Sequence, residues 1–188
     1  MSRGPWIRTF SGLRFYPLDP QPEEVRLADI CHSLSMIARF GGHLPQFYSV
    51  AEHSFLVAKR VKELGGSTEE ILWGLFHDAA EAYIGDIPRP LKRLVIPQIK
   101  TVEDRILSVI AERFGLEYPV PIIVKFADEE LIAAEVQYYW GISLDEMAEA
   151  GWMINCSSIP SVSISGMHPS VAMQTLHHGI QSSLMSRG

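Results

Sequence analysis

The chain has only two cysteines, Cys31 and Cys156, far apart and outside any Cys-x-x-Cys spacing. A thiolate metal site and a disulfide-stapled scaffold are thereby excluded, and reduced thiols in a cytoplasmic setting are the simplest expectation. Long apolar runs are also missing. No segment approaches the length of a membrane span, and the opening Met-Ser-Arg-Gly-Pro-Trp-Ile-Arg lacks the apolar core of a signal peptide, so a soluble protein without a membrane partner is expected. Basic charge is not in excess: 16 Lys and Arg against 22 Asp and Glu leave a formal net charge of −6. A duplex-binding face is normally basic, which argues against nucleic acid as the partner and for a small molecule. Internal repeats and low-complexity tracts are absent. What remains is 188 residues, 47% hydrophobic, enough for one core and one domain over 1–188.

Helix signals dominate the rest. Residues 1–18, with Gly4, Pro5, Gly12 and Pro17, read as an irregular lead-in with an extended piece around Leu13–Tyr16. Pro20, Pro22, Glu23 and Glu24 suit a first turn, and Val25, Ala28, Cys31 and Leu34 recur at helical spacing, predicting a first helix that stops near Arg39. Ser49-Val-Ala-Glu52 and Ser67-Thr-Glu-Glu70 have the capping-box pattern and open the second and third helices, separated by Gly65-Gly66. Gly85, Pro88 and Pro90 end the third helix in a stiff loop. Thr101-Val-Glu-Asp104 opens a fourth helix closed by Gly115, and residues 122–140 make a fifth. Gly151–Met167 reads as loop, and Pro169 to about Ser183 as a final helix. The expected fold is an all-α bundle of about six helices with irregular segments toward both ends.

Within this frame, Phe-His77-Asp78-Ala-Ala-Glu81 places a histidine, an adjacent carboxylate and a second carboxylate one turn on, inside an apolar helix. Polar groups of this kind are costly to bury unless satisfied. His53 shares a helical face with Val57, Val61 and Leu64, and Asp128 lies between Val124 and Ile132. Each has a bland reading: an inward histidine bonded to backbone, or a buried carboxylate acting as a cap. Together, His53, His77, Asp78 and Asp128 form a nitrogen–oxygen donor set of the size a divalent ion needs. Glu81 is placed to touch a water at such a site, and Asp86 on the Gly-Asp-Ile-Pro loop to orient that water or meet a sugar hydroxyl. Arg39 has the planar fork that suits phosphate oxygens, or is a surface arginine at a helix end. Lys92, Arg89 and Arg93 are either extra phosphate contacts or a solvated cluster, and Phe40 with Pro88 or Pro90 could sandwich a base. The other histidines, His32, His43, His168, His177 and His178, have no evident partners and read as structural.

The order His53, His77-Asp78, Asp128 resembles the H…HD…D signature of the HD-domain phosphohydrolases over most of the chain. The Val-Ala-Glu-His53-Ser, Phe-His77-Asp78-Ala-Ala-Glu81 and Gly-Asp86-Ile-Pro segments are similar to the YfbR-type 5′-deoxynucleotidases, and Arg39-Phe-Gly-Gly-His43 to phage-encoded dATP triphosphohydrolases. The resemblance implies an HD fold and one catalytic divalent ion, manganese, cobalt or zinc, or else magnesium. It also implies a homo-oligomer, dimer or hexamer, in the cytoplasm, or in the host cytoplasm for a phage-encoded protein. It maps His53, His77, Asp78 and Asp128 to the metal ligands, Glu81 to the residue that manages the attacking water, and Arg39 to the phosphate-binding arginine. The implied activity is hydrolysis of a deoxynucleotide, with dATP or another dNTP giving deoxynucleoside and tripolyphosphate. The alternatives are a 5′-deoxynucleotidase acting on dNMP and a nucleotide-sensing module without turnover.

Overall fold

The computed structural model describes residues 3–94, 96–152 and 154–187, the side chain of Arg93 excepted. A short antiparallel pair, β1 (Ile7–Arg8) and β2 (Arg14–Phe15), sets Ile7 opposite Phe15. Helices follow in the order α1 (Leu27–Met36), α2 (Val50–Glu63), α3 (Thr68–Phe76), α4 (Glu81–Ile84), α5 (Arg89–Leu94), α6 (Gln98–Phe114), α7 (Ile122–Trp140), α8 (Leu144–Glu149) and α9 (Pro169–Met185). The protein is all-α. Six of these helices have nine or more residues, in line with the six expected. Among the described residues, no helix is long and apolar enough to cross a membrane.

α2 is the central element and packs against α1, α3, α7 and α9. Its Val50, Ala51, Leu56, Val57 and Val61 are buried, as are Leu72, Trp73, Leu75 and Phe76 of α3. Each large apolar side chain removed from water in this way contributes roughly 1.5–3 kcal/mol before ordering costs. The α2–α3 contact is unusually close. A Cβ on Gly74 would lie 2.7 Å from the Ala58 Cα, so only glycine fits there. This close approach brings the C-terminal end of α3 up to the first turn of α2, where His53 sits. A smaller cluster of Ile132, Ala133, Val136 and Met147 joins α7 to α8.

Several local expectations need correction. The first helix is not continuous from residue 19 to 39: Pro22–Glu24 form a 3-10 turn, the helix proper starts at Leu27, and Arg39–Gly42 form a second 3-10 turn. Val25 breaks the run, because it takes extended backbone to bury its side chain. α6 begins at Gln98, one turn before the Thr101 cap, so the Thr101–Asp104 pattern falls inside a helix. Ser143-Leu-Asp-Glu146 is a complete capping box that starts the short α8, a signal of the same kind overlooked in the sequence. Ser67–Glu70 closes as a full box, but at Ser49 only the serine half forms. The Glu52 carboxylate goes elsewhere. It accepts from the backbone amides of Ser165, Gly166 and Met167 at 2.8, 3.1 and 2.6 Å and from the Ser165 hydroxyl at 2.9 Å. The loop-like stretch before α9 is thus strapped onto α2.

Candidate metal centre

α3 ends at Phe76, so His77 and Asp78 sit at the helix exit, in the turn before α4, and not inside an apolar helix as expected. The exit position matters. His77 Nδ1 donates to the Gly74 carbonyl at 2.8 Å, which leaves Nε2 buried and without an aligned hydrogen-bond partner. His53 is fully buried on α2, with Nδ1 2.5 Å from Glu135 Oε1 and Nε2 3.1 Å from Asp128 Oδ1. With the Nδ1–H donating to the Glu135 carboxylate, two acceptors face each other at Nε2 and Asp128, which requires a proton or a cation between them.

One ligand atom each from His53, His77 and Asp128 lies within 4.8 Å of the others. Asp78 joins them: its Oδ2 is 3.7 Å from His53 Nε2 and 3.2 Å from His77 Nε2, and His77 Nε2 is 3.9 Å from Asp128 Oδ1. Two donors bound to one cation at roughly 2.1 Å each are at most about 4.2 Å apart. The histidine–carboxylate separations, 3.1 to 3.9 Å, lie inside that limit, so the group could hold a single divalent ion. The nitrogen–oxygen donors suit several first-row ions and select none.

The charges respond to this crowding. Burial disfavours the imidazolium of His77, but Asp78 beside it and Asp128 beyond outweigh that and push its pKa up to about 9. Burial and Arg39 oppose a charged His53, yet Glu135 and Asp128 raise its pKa. Burial works against the carboxylates too, and the two imidazoles overcome it, holding Asp78 and Asp128 below their ordinary values. In the metal-free protein, protons on the histidines do part of the work of a cation.

Sequence reasoning missed Glu135. It is wholly buried and accepts from Tyr48 Oη at 2.7 Å and from Arg39 Nη2 and Nε at 2.9 and 3.2 Å, in addition to His53. Burial alone would raise its pKa, but Arg39 and His53 hold it down. The signal was present: Glu135 lies seven residues after Asp128, on the same stripe of α7. Arg39 is consequently not a free surface arginine. It is buried against Glu135, with only Nη1 turned toward Asp78 at 3.8 Å.

Glu81 is buried in α4, and its Oε2 lacks a partner. Burial, then Asp78 and Asp86, raise its pKa well above the usual carboxylate range. Lys92 does not point free into solvent: its Nζ pairs with Glu81 at 3.0 Å and with Glu103 at 2.6 Å. Asp86 is half-buried on the loop after α4, where burial raises its pKa. Arg89 is 43% exposed and brings Nη2 to 3.7 Å from Asp128 Oδ2. The Arg93 side chain lies outside the described residues. Phe40 takes a left-handed backbone conformation, and its ring meets Trp140 edge-on at 5.2 Å, while Pro88 and Pro90 stand exposed at the start of α5.

Fold and site together define an all-α protein with a His–His–Asp group, its His53 buried and its His77 and Asp128 half-buried, that could hold a metal ion. No family model matches the chain. Over 130 residues it is 44% identical to the uncharacterized protein YfdR of Escherichia coli (strain K12), an alignment covering 69% of this chain and 70% of that protein. Over 146 residues it is 35% identical to an uncharacterized protein of Rhodobacter capsulatus, covering 73% and 74% of the two. The chain belongs to the family that includes these two bacterial proteins.

Proposed function

We propose that the protein is a metal-dependent phosphohydrolase of the HD type acting on deoxynucleotides, with a deoxynucleoside triphosphate as substrate and tripolyphosphate as product. The observation that carries this reading is the convergence of His53, His77 and Asp128 with Asp78, in the chain order of the HD signature, flanked by arginines. His53, His77, Asp78 and Asp128 would hold the ion. A bound divalent ion supplies Lewis acidity toward a phosphoryl oxygen and makes water more acidic. The chain supplies the remainder. Glu81, with a raised pKa and a free buried oxygen, takes or gives a proton. Arg39 Nη1 faces the carboxylate side of the site and offsets charge developing on phosphate oxygens. Asp86 lies on the loop between Glu81 and Arg89 and orients water or a sugar hydroxyl.

The test is product analysis after chelation and reloading with Mn, Co, Zn or Mg, using dATP, other dNTPs and dNMPs. Tripolyphosphate from dATP is the expected product, and Asp78→Asn should abolish it. Orthophosphate from a dNMP would replace this reading with a nucleotidase. Binding without any product under every metal would replace it with a sensing module.

A further inference from the structure

Resting on that reading of the site, we propose that Arg89 is the specificity-determining residue that makes the site prefer a triphosphate chain over a monophosphate. Among the described residues, Arg39 and Arg89 are the lysine or arginine side chains with a nitrogen within 4 Å of Asp78 or Asp128. They differ in availability. Arg39 is buried and satisfied by Glu135 at 2.9 Å, whereas Arg89 is 43% exposed and its carboxylate contact, at 3.7 Å, is beyond hydrogen-bond range. That contact is also with Asp128, whose charge a bound cation would take up. Lys92, on the same short helix, already has two carboxylates at 3.0 and 2.6 Å. Among the described residues beside the donor group, Arg89 is thus the cation with no close carboxylate, placed to meet an incoming anion.

Its base is firm. Pro88 and Pro90 on either side restrict the backbone, and Lys92, within the same short helix, ties α5 to Glu81 of α4 and Glu103 of α6. The Arg89 guanidinium lies beside Asp128, whereas that of Arg39 lies beside Asp78. A monophosphate bound at the donor group is served from the Arg39 side. Phosphates further along a chain carry additional charge and extend to where Arg89 can pair with them, in the forked geometry that favours phosphate.

The test uses analogues of dATP and dAMP in which the 5′ ester oxygen is a methylene, so that the chain cannot be released during the measurement. Both are titrated calorimetrically into Mn-loaded protein in excess Mn, with the natural residue, Arg89→Gln and Arg89→Lys. The natural protein should bind the triphosphate analogue more tightly. Arg89→Gln should weaken that binding about tenfold, the scale of one charge-assisted hydrogen bond, leave the monophosphate analogue within about twofold, and leave the melting temperature unchanged. Arg89→Lys should recover part of the difference. Equal weakening of both analogues, or of neither, overturns the assignment to Arg89 and leaves the phosphohydrolase reading intact. Failure of the natural protein to bind either analogue overturns both.

Discussion

His53 is held at both ring nitrogens, and the two contacts have different consequences. Glu135 on Nδ1 sets the tautomer and ring orientation, leaving Nε2 as the ligand atom. Glu135→Gln keeps the shape and an acceptor for Nδ1 but removes the charge that also holds Arg39 and Tyr48. We expect metal affinity to fall about 10–100-fold, measured by competition with a chelating dye. An unchanged affinity would mean that His53 is oriented by packing alone. The candidate ligands His53, His77 and Asp128 were legible as polar groups on or beside apolar helical stripes, since such a side chain has to be satisfied by something. Glu135 met the same criterion and was overlooked because its neighbour in space, His53, is 82 residues away. For Arg39 and Lys92 the residue type was readable but the partner was not: both are engaged by buried carboxylates, from α7 for Arg39 and from α4 and α6 for Lys92.

At the scale of elements, the stretch before α9 has no regular structure, yet it is fastened to α2 through one carboxylate. Glu52 accepts from four donors and is buried, one residue before the metal-site histidine. Glu52→Ala removes the acceptor these donors share, but Ser165 is exposed and Gly166 and Met167 are half-buried, so water takes up part of the loss. We expect a loss of about 1–3 kcal/mol in urea unfolding on that basis. A loss under about 0.5 kcal/mol, typical of surface sites, would show that the strap is dispensable. Helices with strong local signals were read well. α7 matches its expected range, and α3 opens on the full capping box expected at Ser67, whereas the equal box that opens α8 was passed over. Glu52 shows the limit of such reading, because the sequence pattern offers its side chain a local amide while the folded chain offers it three amides and a hydroxyl.

For the whole molecule, the proposed metal site predicts that metal occupancy and folding are linked. Metal at 100 times its dissociation constant adds about 2.7 kcal/mol, or roughly 5–11 °C in a chain of this size. Scanning calorimetry after chelation and after reloading should read that difference. pH changes it in a definite direction. The folded-state pKa of His77, about 9, exceeds its ordinary 6.5, so the stabilisation from its pairing with Asp78 is complete below pH 6.5 and is lost as pH rises through 9. The metal-free protein should lose stability across that window. The increment from metal should grow across it, because fewer protons must leave the imidazoles. A metal increment that shrinks from pH 6.5 to 9 would mean that these histidines are not the ligands.

The amino-acid order by itself determined the helical class, the bounds of α2, α7 and α9 to within about two residues and the residue types able to meet a cation, because periodicity, caps and breakers act over a few residues. Tertiary structure alone decided that α3 stops one residue short of His77, that Glu135 and not solvent faces His53 and Arg39, that Lys92 is spent on two carboxylates, and that Arg89 is not. Those outcomes depend on which buried charges meet across intervals of up to about a hundred residues. Such pairings are chosen by the desolvation cost of the whole packed set, and no local pattern records them.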